Sequence, residues 1–81
     1  MAENQVKIYT TPSCVYCKMT KEFFKANEVQ YQELDVASDV QAREEMIQKS
    51  GQFGVPVIDV NGNLVIGFDK ARLSELLGLK S

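Results

Sequence analysis

The sequence predicts a small α/β domain, a four-stranded mixed sheet with helices on both faces, built in the order β-α-β-α-β-β-α. Three observations carry this reading. Short runs that alternate apolar and polar residues are interleaved with stretches of helical period. An Asn61-Gly62 pair, the strongest short-range hairpin signal, separates the last two apolar runs. The whole pattern occupies 81 residues, enough for one domain over 1–81 and near the lower limit for a single hydrophobic core.

The elements follow in order. Val6 and Ile8 alternate with Lys7 and Tyr9, the period-2 pattern of a half-buried strand. Pro12 stops that strand, because proline has no N–H to give to a ladder. From Cys14 to about Asn27 the residues favour a helix, with Val15, Met19, Phe23 and Ala26 on one stripe and Cys17, Thr20 and Phe24 on another. Tyr31 to Val36 reads as a second strand whose alternation is muddled by Glu33 and Asp35. Ser38 with Gln41 three residues on is a capping-box signature for a helix running to about Ser50. Its apolar content, Val40, Met46 and Ile47, is thin, so much of that helix is expected to be exposed. Val57 to Val60 and Leu64 to Gly67 form the hairpin strands around Asn61-Gly62. Asp69 caps a last helix whose Leu73, Leu76 and Leu77 share one face and which Gly78 ends.

A strand–helix–strand unit of this length should be a right-handed parallel crossover. The hairpin then adds two antiparallel strands, and the result is the outline of a minimal thioredoxin fold. Composition narrows the function classes. Nine basic against eleven acidic residues give a net charge of −2, without the basic stripe of a nucleic-acid binder. Neither the segment from Met1 to Val15 nor any other stretch has the apolar run of a signal peptide or membrane span. The expected setting is therefore the cytoplasm, where structural disulfides are rare and two cysteines are reactive or metal-bound. The chain has no histidine, which removes any Cys–His catalytic pair.

Cys14-Val15-Tyr16-Cys17 places two thiols just after a strand and at the start of a helix. Four consecutive residues in a first helical turn bring both sulfurs within bridging reach. The same turn carries unpaired N–H groups and the positive end of the helix dipole, which favour a thiolate at Cys14. Lys18 and Lys21 could add to this only modestly, as exposed and screened charges. The expected mechanism follows. Cys14 attacks a substrate disulfide, and the more buried Cys17 then attacks Cys14 and frees the reduced substrate. Two other readings stand beside it. Both cysteines could be core residues. They could instead hold zinc or an iron–sulfur cluster, as a binding module or cluster carrier, with further thiols from a second chain or from solution.

Thr11-Pro12-Ser13 before the Cys-x-x-Cys pair, Gly54-Val55-Pro56, and Gly67-Phe68-Asp69 together resemble a glutaredoxin or glutaredoxin-like redoxin, over about Val6 to Leu77. The resemblance implies a dithiol oxidoreductase with Cys14 and Cys17 as its redox-active pair and no bound cofactor. Pro56 is expected to be cis and to face the cysteines, with the backbone of Val55 offered to a substrate chain. Tyr16, Val55, Pro56, Gly67, Phe68 and Asp69 become the substrate or glutathione contacts. Partners would be disulfide-containing or glutathionylated proteins, with glutathione or a thioredoxin-reductase-type flavoprotein as reductant, and the chain working as a monomer.

Several positions depart from the glutathione-binding pattern. Thr11 stands where a lysine is usual, Gln52-Phe53 where a basic residue is frequent, and Phe68 where a second glycine is common. Each lost cation removes a charge-assisted hydrogen bond worth ~1.5–3 kcal/mol in favourable settings. Val15 resembles instead the redoxins recharged by thioredoxin reductase. Phe53, Tyr16 and Phe68 could form an apolar rim for protein partners.

Overall fold

A computed structural model describes residues 5–52 and 54–78. Its elements are β1 (Val6–Thr10), α1 (Val15–Ala26), β2 (Gln32–Asp35), α2 (Val40–Ser50), β3 (Val57–Val60), β4 (Asn63–Ile66) and α3 (Lys70–Leu77). The strands lie in the order β2-β1-β3-β4. β1 pairs parallel with β2, with Ile8 opposite Glu33. It pairs antiparallel with β3, and β3 with β4. This is the minimal thioredoxin fold the element order predicts.

The pleat sorts side chains between two layers. Val6, Ile8, Ile58 and Val60 point to one face, where Phe24 of α1 and Leu73 and Leu77 of α3 cover them. Tyr9 and Val57 point to the other, under Ala42 and Met46 of α2. Of the two stripes on α1, the buried one is Cys17, Thr20 and Phe24; Val15, Met19 and Ala26 face solvent. That choice sets the depth of Cys17.

As its thin apolar content predicts, α2 buries little beyond Ala42 and Met46. Polar contacts supplement that packing. The Tyr9 hydroxyl donates to Glu45 at 2.5 Å, and Lys49 reaches both Glu45 (3.2 Å) and Asp59 of β3 (3.1 Å).

Three boundaries differ from the sequence reading. The cap of α2 is Asp39 rather than Ser38: its carboxylate accepts the Ala42 N–H at 3.1 Å. Asp35 moves the start, because its carboxylate accepts the Ala37 N–H and its carbonyl the Asp39 N–H, holding the chain in a turn for one more residue. β2 is shorter than Tyr31 to Val36: the Tyr31 ring packs on Phe24 at 5.3 Å, and beyond Asp35 only the Val36 N–H still reaches β1, donating to the Thr10 carbonyl at 2.9 Å. β4 ends at Ile66, because Gly67 adopts φ +81°, outside strand geometry, and gives its N–H to the Pro56 carbonyl at 2.8 Å. The hairpin turn is as expected, with Asn61 and Gly62 both at positive φ.

Candidate active site

The site begins where β1 delivers the chain to the sheet's end. Thr11 to Cys14 closes a turn in which the Cys14 N–H donates to the Thr11 carbonyl at 3.2 Å. Cys14 then adopts extended backbone angles and serves as the N-cap of α1. Serine, threonine, aspartate or asparagine usually fills this position, because an oxygen there can accept a first-turn N–H. Here sulfur takes that part, accepting the Cys17 N–H at 3.1 Å. Cys14 is half-buried and Cys17 is 1% exposed. The two cysteines are therefore one helical turn apart, one at the rim and one beneath it.

Burial has a chemical consequence. It pushes the Cys17 thiol up to about 12; the hydrogen bond with Cys14 works in the same direction, while a backbone hydrogen bond from Thr11 and the charge of Lys21 oppose it. Cys17 is thus held as a thiol until something changes around it.

Cys14 opens into a surface groove of about 360 Å³ lined by Thr11, Pro12, Ser13, Val15, Lys18 and Lys21. Lys18 is exposed, as expected, but Lys21 is not the free screened charge the sequence suggests. Its ammonium lies 2.8 Å from a Glu33 carboxylate oxygen that also accepts the Thr10 hydroxyl at 3.0 Å. The signal for this was present: Lys21 stands four residues after Cys17, and Glu33 interrupts the alternation of β2.

The remaining expected site residues divide. Tyr16 is 62% exposed beside the cysteines, and with Val15 and Met19 it forms an apolar outer face of α1. The Val55–Pro56 bond is cis, Pro56 is buried and Val55 half-buried. Gly67 is tied to Pro56 by its N–H. Phe68 packs against the core, edge-on to Phe23 at 5.9 Å, so its ring is a core contact more than a rim. Asp69 commits one carboxylate oxygen to capping α3, accepting the Arg72 N–H at 3.1 Å. Gln52 turns its amide onto its own loop, donating to the Gly54 carbonyl at 3.2 Å. Phe53 lies outside the described residues. Tyr9 stands opposite Val57 and Val57 opposite Ile66, so Pro56 and Gly67 lie at the same end of the sheet as Thr11.

No group of three or more histidine, cysteine, aspartate or glutamate side chains placed to hold a metal ion occurs among the described residues. The cysteine pair supplies two sulfur ligands, half of a tetrahedral site. No helix among the described residues is long and apolar enough to cross a membrane.

Comparison with known proteins agrees with this architecture. The family model described as Glutaredoxin matches residues 6–65. A glutaredoxin-like 8.6 kDa protein in the rubredoxin operon of Clostridium pasteurianum is 46% identical over 72 residues, covering 89% of this chain and 96% of that protein. Glutaredoxin 3 of Escherichia coli strain K12 is 38% identical over 64 residues, 79% of this chain and 77% of its own length. The crystal structure of a thioredoxin-like protein superposes with a TM-score of 0.84 at 35% identity, covering 89% of this chain and 99% of that one. The three motifs, their placement around one sheet end and these relatives agree: the chain belongs to the glutaredoxin family of small thiol–disulfide oxidoreductases.

Proposed function

We propose that the protein is a dithiol reductase in which Cys14 attacks and Cys17 resolves. The observation that carries this reading is the vertical pairing of the cysteines: a half-buried sulfur at the helix terminus, with a buried thiol one turn below it and the lower N–H donating to the upper sulfur at 3.1 Å. The helix terminus offers the Cys14 sulfur its unpaired N–H groups and the positive end of the dipole, so no histidine base is needed.

The thiolate of Cys14 attacks one sulfur of the substrate disulfide. That S–S bond breaks, one half of the substrate leaves as a thiolate, and the other half stays bonded to Cys14. Cys17 then loses its proton and attacks the Cys14 sulfur. The second half leaves, and a Cys14–Cys17 bridge remains. The exposed Tyr16, Val15 and Met19 flank the entry to Cys14 and suit a protein substrate, with the backbone at Val55 as the edge along which its chain lies.

Electrons return to the bridge from glutathione or from a flavoenzyme of the thioredoxin-reductase type. Thr11, Gln52 and the capping duty of Asp69 leave fewer groups for the carboxylates of glutathione, which favours the flavoenzyme.

The deciding experiment oxidises the protein and follows reduction of the bridge by glutathione and, separately, by NADPH with thioredoxin reductase. Fast reduction by the flavoenzyme alone supports the redoxin reading; fast reduction by glutathione makes it a glutathione-dependent glutaredoxin. Retained disulfide reduction in Cys14→Ser would overturn the mechanism, as would failure of Cys17→Ser to accumulate a mixed disulfide detectable by mass spectrometry.

A further inference from the structure

We propose that Lys21 is the positioning residue of the second step, held by Glu33 and Thr10 so that its charge lies beside Cys17 when that sulfur ionises within the mixed disulfide. The inference rests on the reaction sequence proposed above.

The geometry is the argument. Cys17 and Lys21 stand at i and i+4 on α1 and so share a face. Cys17 is 1% exposed, so a charge forming there receives little help from water. Lys21 is half-buried, its ammonium 2.8 Å from Glu33. Glu33 is itself anchored from β1 by the hydroxyl of Thr10, a residue only 2% exposed. The chain of contacts runs from β1 to β2 to α1 and ends at Lys21, one helical turn after Cys17.

Charged and titratable groups face this point from each neighbouring element. Cys14 and Lys21 act on Cys17 from α1, and the Thr11 backbone acts from the loop. Glu33 of β2 acts on Lys21, and the phenol of Tyr31 beside it is a neutral neighbour. Asp35 adds a like charge next to Glu33. Lys18 lines the same groove but is exposed. Glu33 partly offsets the field of Lys21 and fixes where its ammonium sits, 2.8 Å away.

In the mixed disulfide, Cys14 carries no charge and no longer opposes ionisation of Cys17, whereas burial still does. Cys17 gives its proton to water, its electron pair forms the bond to the Cys14 sulfur, and the Cys14–substrate S–S bond breaks. The departing substrate sulfur takes that bond's electron pair and then a proton from water. One positive charge at Lys21 favours the thiolate through this step.

The test loads Cys14 with thionitrobenzoate and times release of the yellow thiolate in single turnover from pH 6 to pH 11, a window that reaches toward the raised Cys17 thiol. Lys21→Gln should release about tenfold more slowly, the equivalent of one pKa unit at Cys17, with its rate–pH profile displaced to higher pH. Lys21→Met, which keeps the stem, should match it. Lys21→Arg should stay near the parent protein. Because Lys21 also lines the groove at Cys14, the initial reaction of Cys14 with dithiobisnitrobenzoate is timed separately, and in Lys21→Gln and Lys21→Met release should slow by more than that first reaction does. Unchanged release in Lys21→Gln and Lys21→Met would overturn the proposal, as would slowing without displacement of the profile or equal slowing in Lys21→Arg. No release from the parent protein at any pH would instead remove Cys17 from the resolving role, which is failure of the underlying reaction sequence.

Discussion

The main-chain N–H of Cys17 points at the sulfur of Cys14, 3.1 Å away, so one cysteine caps the helical turn in which the other is buried. Structure and chemistry meet in that contact, and substitutions can separate them. Cys14→Ser should lose disulfide reduction altogether yet keep the cap, because a serine hydroxyl accepts the same N–H. Cys14→Ala should lose both, at a cost of about 1 kcal/mol of stability. Thermal unfolding of the two variants and the parent under reducing conditions checks this; equal stability of Ser and Ala would show that the cap contributes nothing.

Alkaline pH should destabilise the reduced protein more than the oxidised one. Burial first, then the hydrogen bond with Cys14, raises Cys17 from 9.0 to about 12. The folded state therefore holds this proton more tightly than the unfolded chain does. That contribution is whole below about pH 9 and is lost as pH rises toward 12. Tyr9 follows the same sign, raised from 10.0 to about 12 by burial and by its bond to Glu45. Denaturant unfolding between pH 8 and pH 11 should show a steeper fall for the reduced form, since oxidation removes the Cys17 thiol. In Tyr9→Phe the remaining fall should shrink further. Parallel curves for the two redox forms would contradict the assignment to Cys17.

Asp69 separates capping from ligand binding. Asp69→Asn keeps an N-cap oxygen and should leave the melting temperature nearly unchanged, whereas Asp69→Ala should cost about 1 kcal/mol. If the carboxylate serves only α3, glutathione-dependent reduction by Asp69→Asn should match the parent. A raised KM for glutathione with unchanged stability would assign Asp69 to the glutathione contacts.

Much of this was legible in the residues. Val6 and Ile8 on β1, the Asn61-Gly62 turn and the leucines of α3 each carry a local signal that the packing repeats, so pattern and fold agree. The cysteine pair was legible because strand, proline and helix start sit next to it in the chain. What escaped was set by contacts between distant residues. Ser38 reads as the cap of α2, and only the turn that Asp35 builds shows that Asp39 takes it instead. Lys21 reads as a surface charge until β2 brings Glu33 beside it. Phe68 reads as a rim residue until Phe23 arrives from α1.

Phe24 is the anchor of the site. It is fully buried, with Tyr31 at 5.3 Å and Phe23 at 6.0 Å, and it fixes the face of α1 that carries Cys17. Phe24→Ala should cost about 3–5 kcal/mol, a large share of the ~5–15 kcal/mol typical of a small domain. Guanidinium unfolding measures it. A cost below about 1 kcal/mol would mean that α1 is held elsewhere.

The sulfur cap also links the strength of the fold to the direction of electron flow. A disulfide sulfur accepts an N–H more weakly than a thiolate does, so this contact favours the dithiol over the bridge. By a thermodynamic cycle, whatever stabilises the folded dithiol over the folded disulfide raises the reduction potential of the pair. With 30 mV corresponding to ~1.4 kcal/mol for two electrons, a cap of about 1 kcal/mol lost completely on oxidation shifts that potential by roughly 20 mV toward the oxidising side, and a cap only weakened shifts it by less. One N–H···S contact thereby helps set how readily the protein surrenders its electrons.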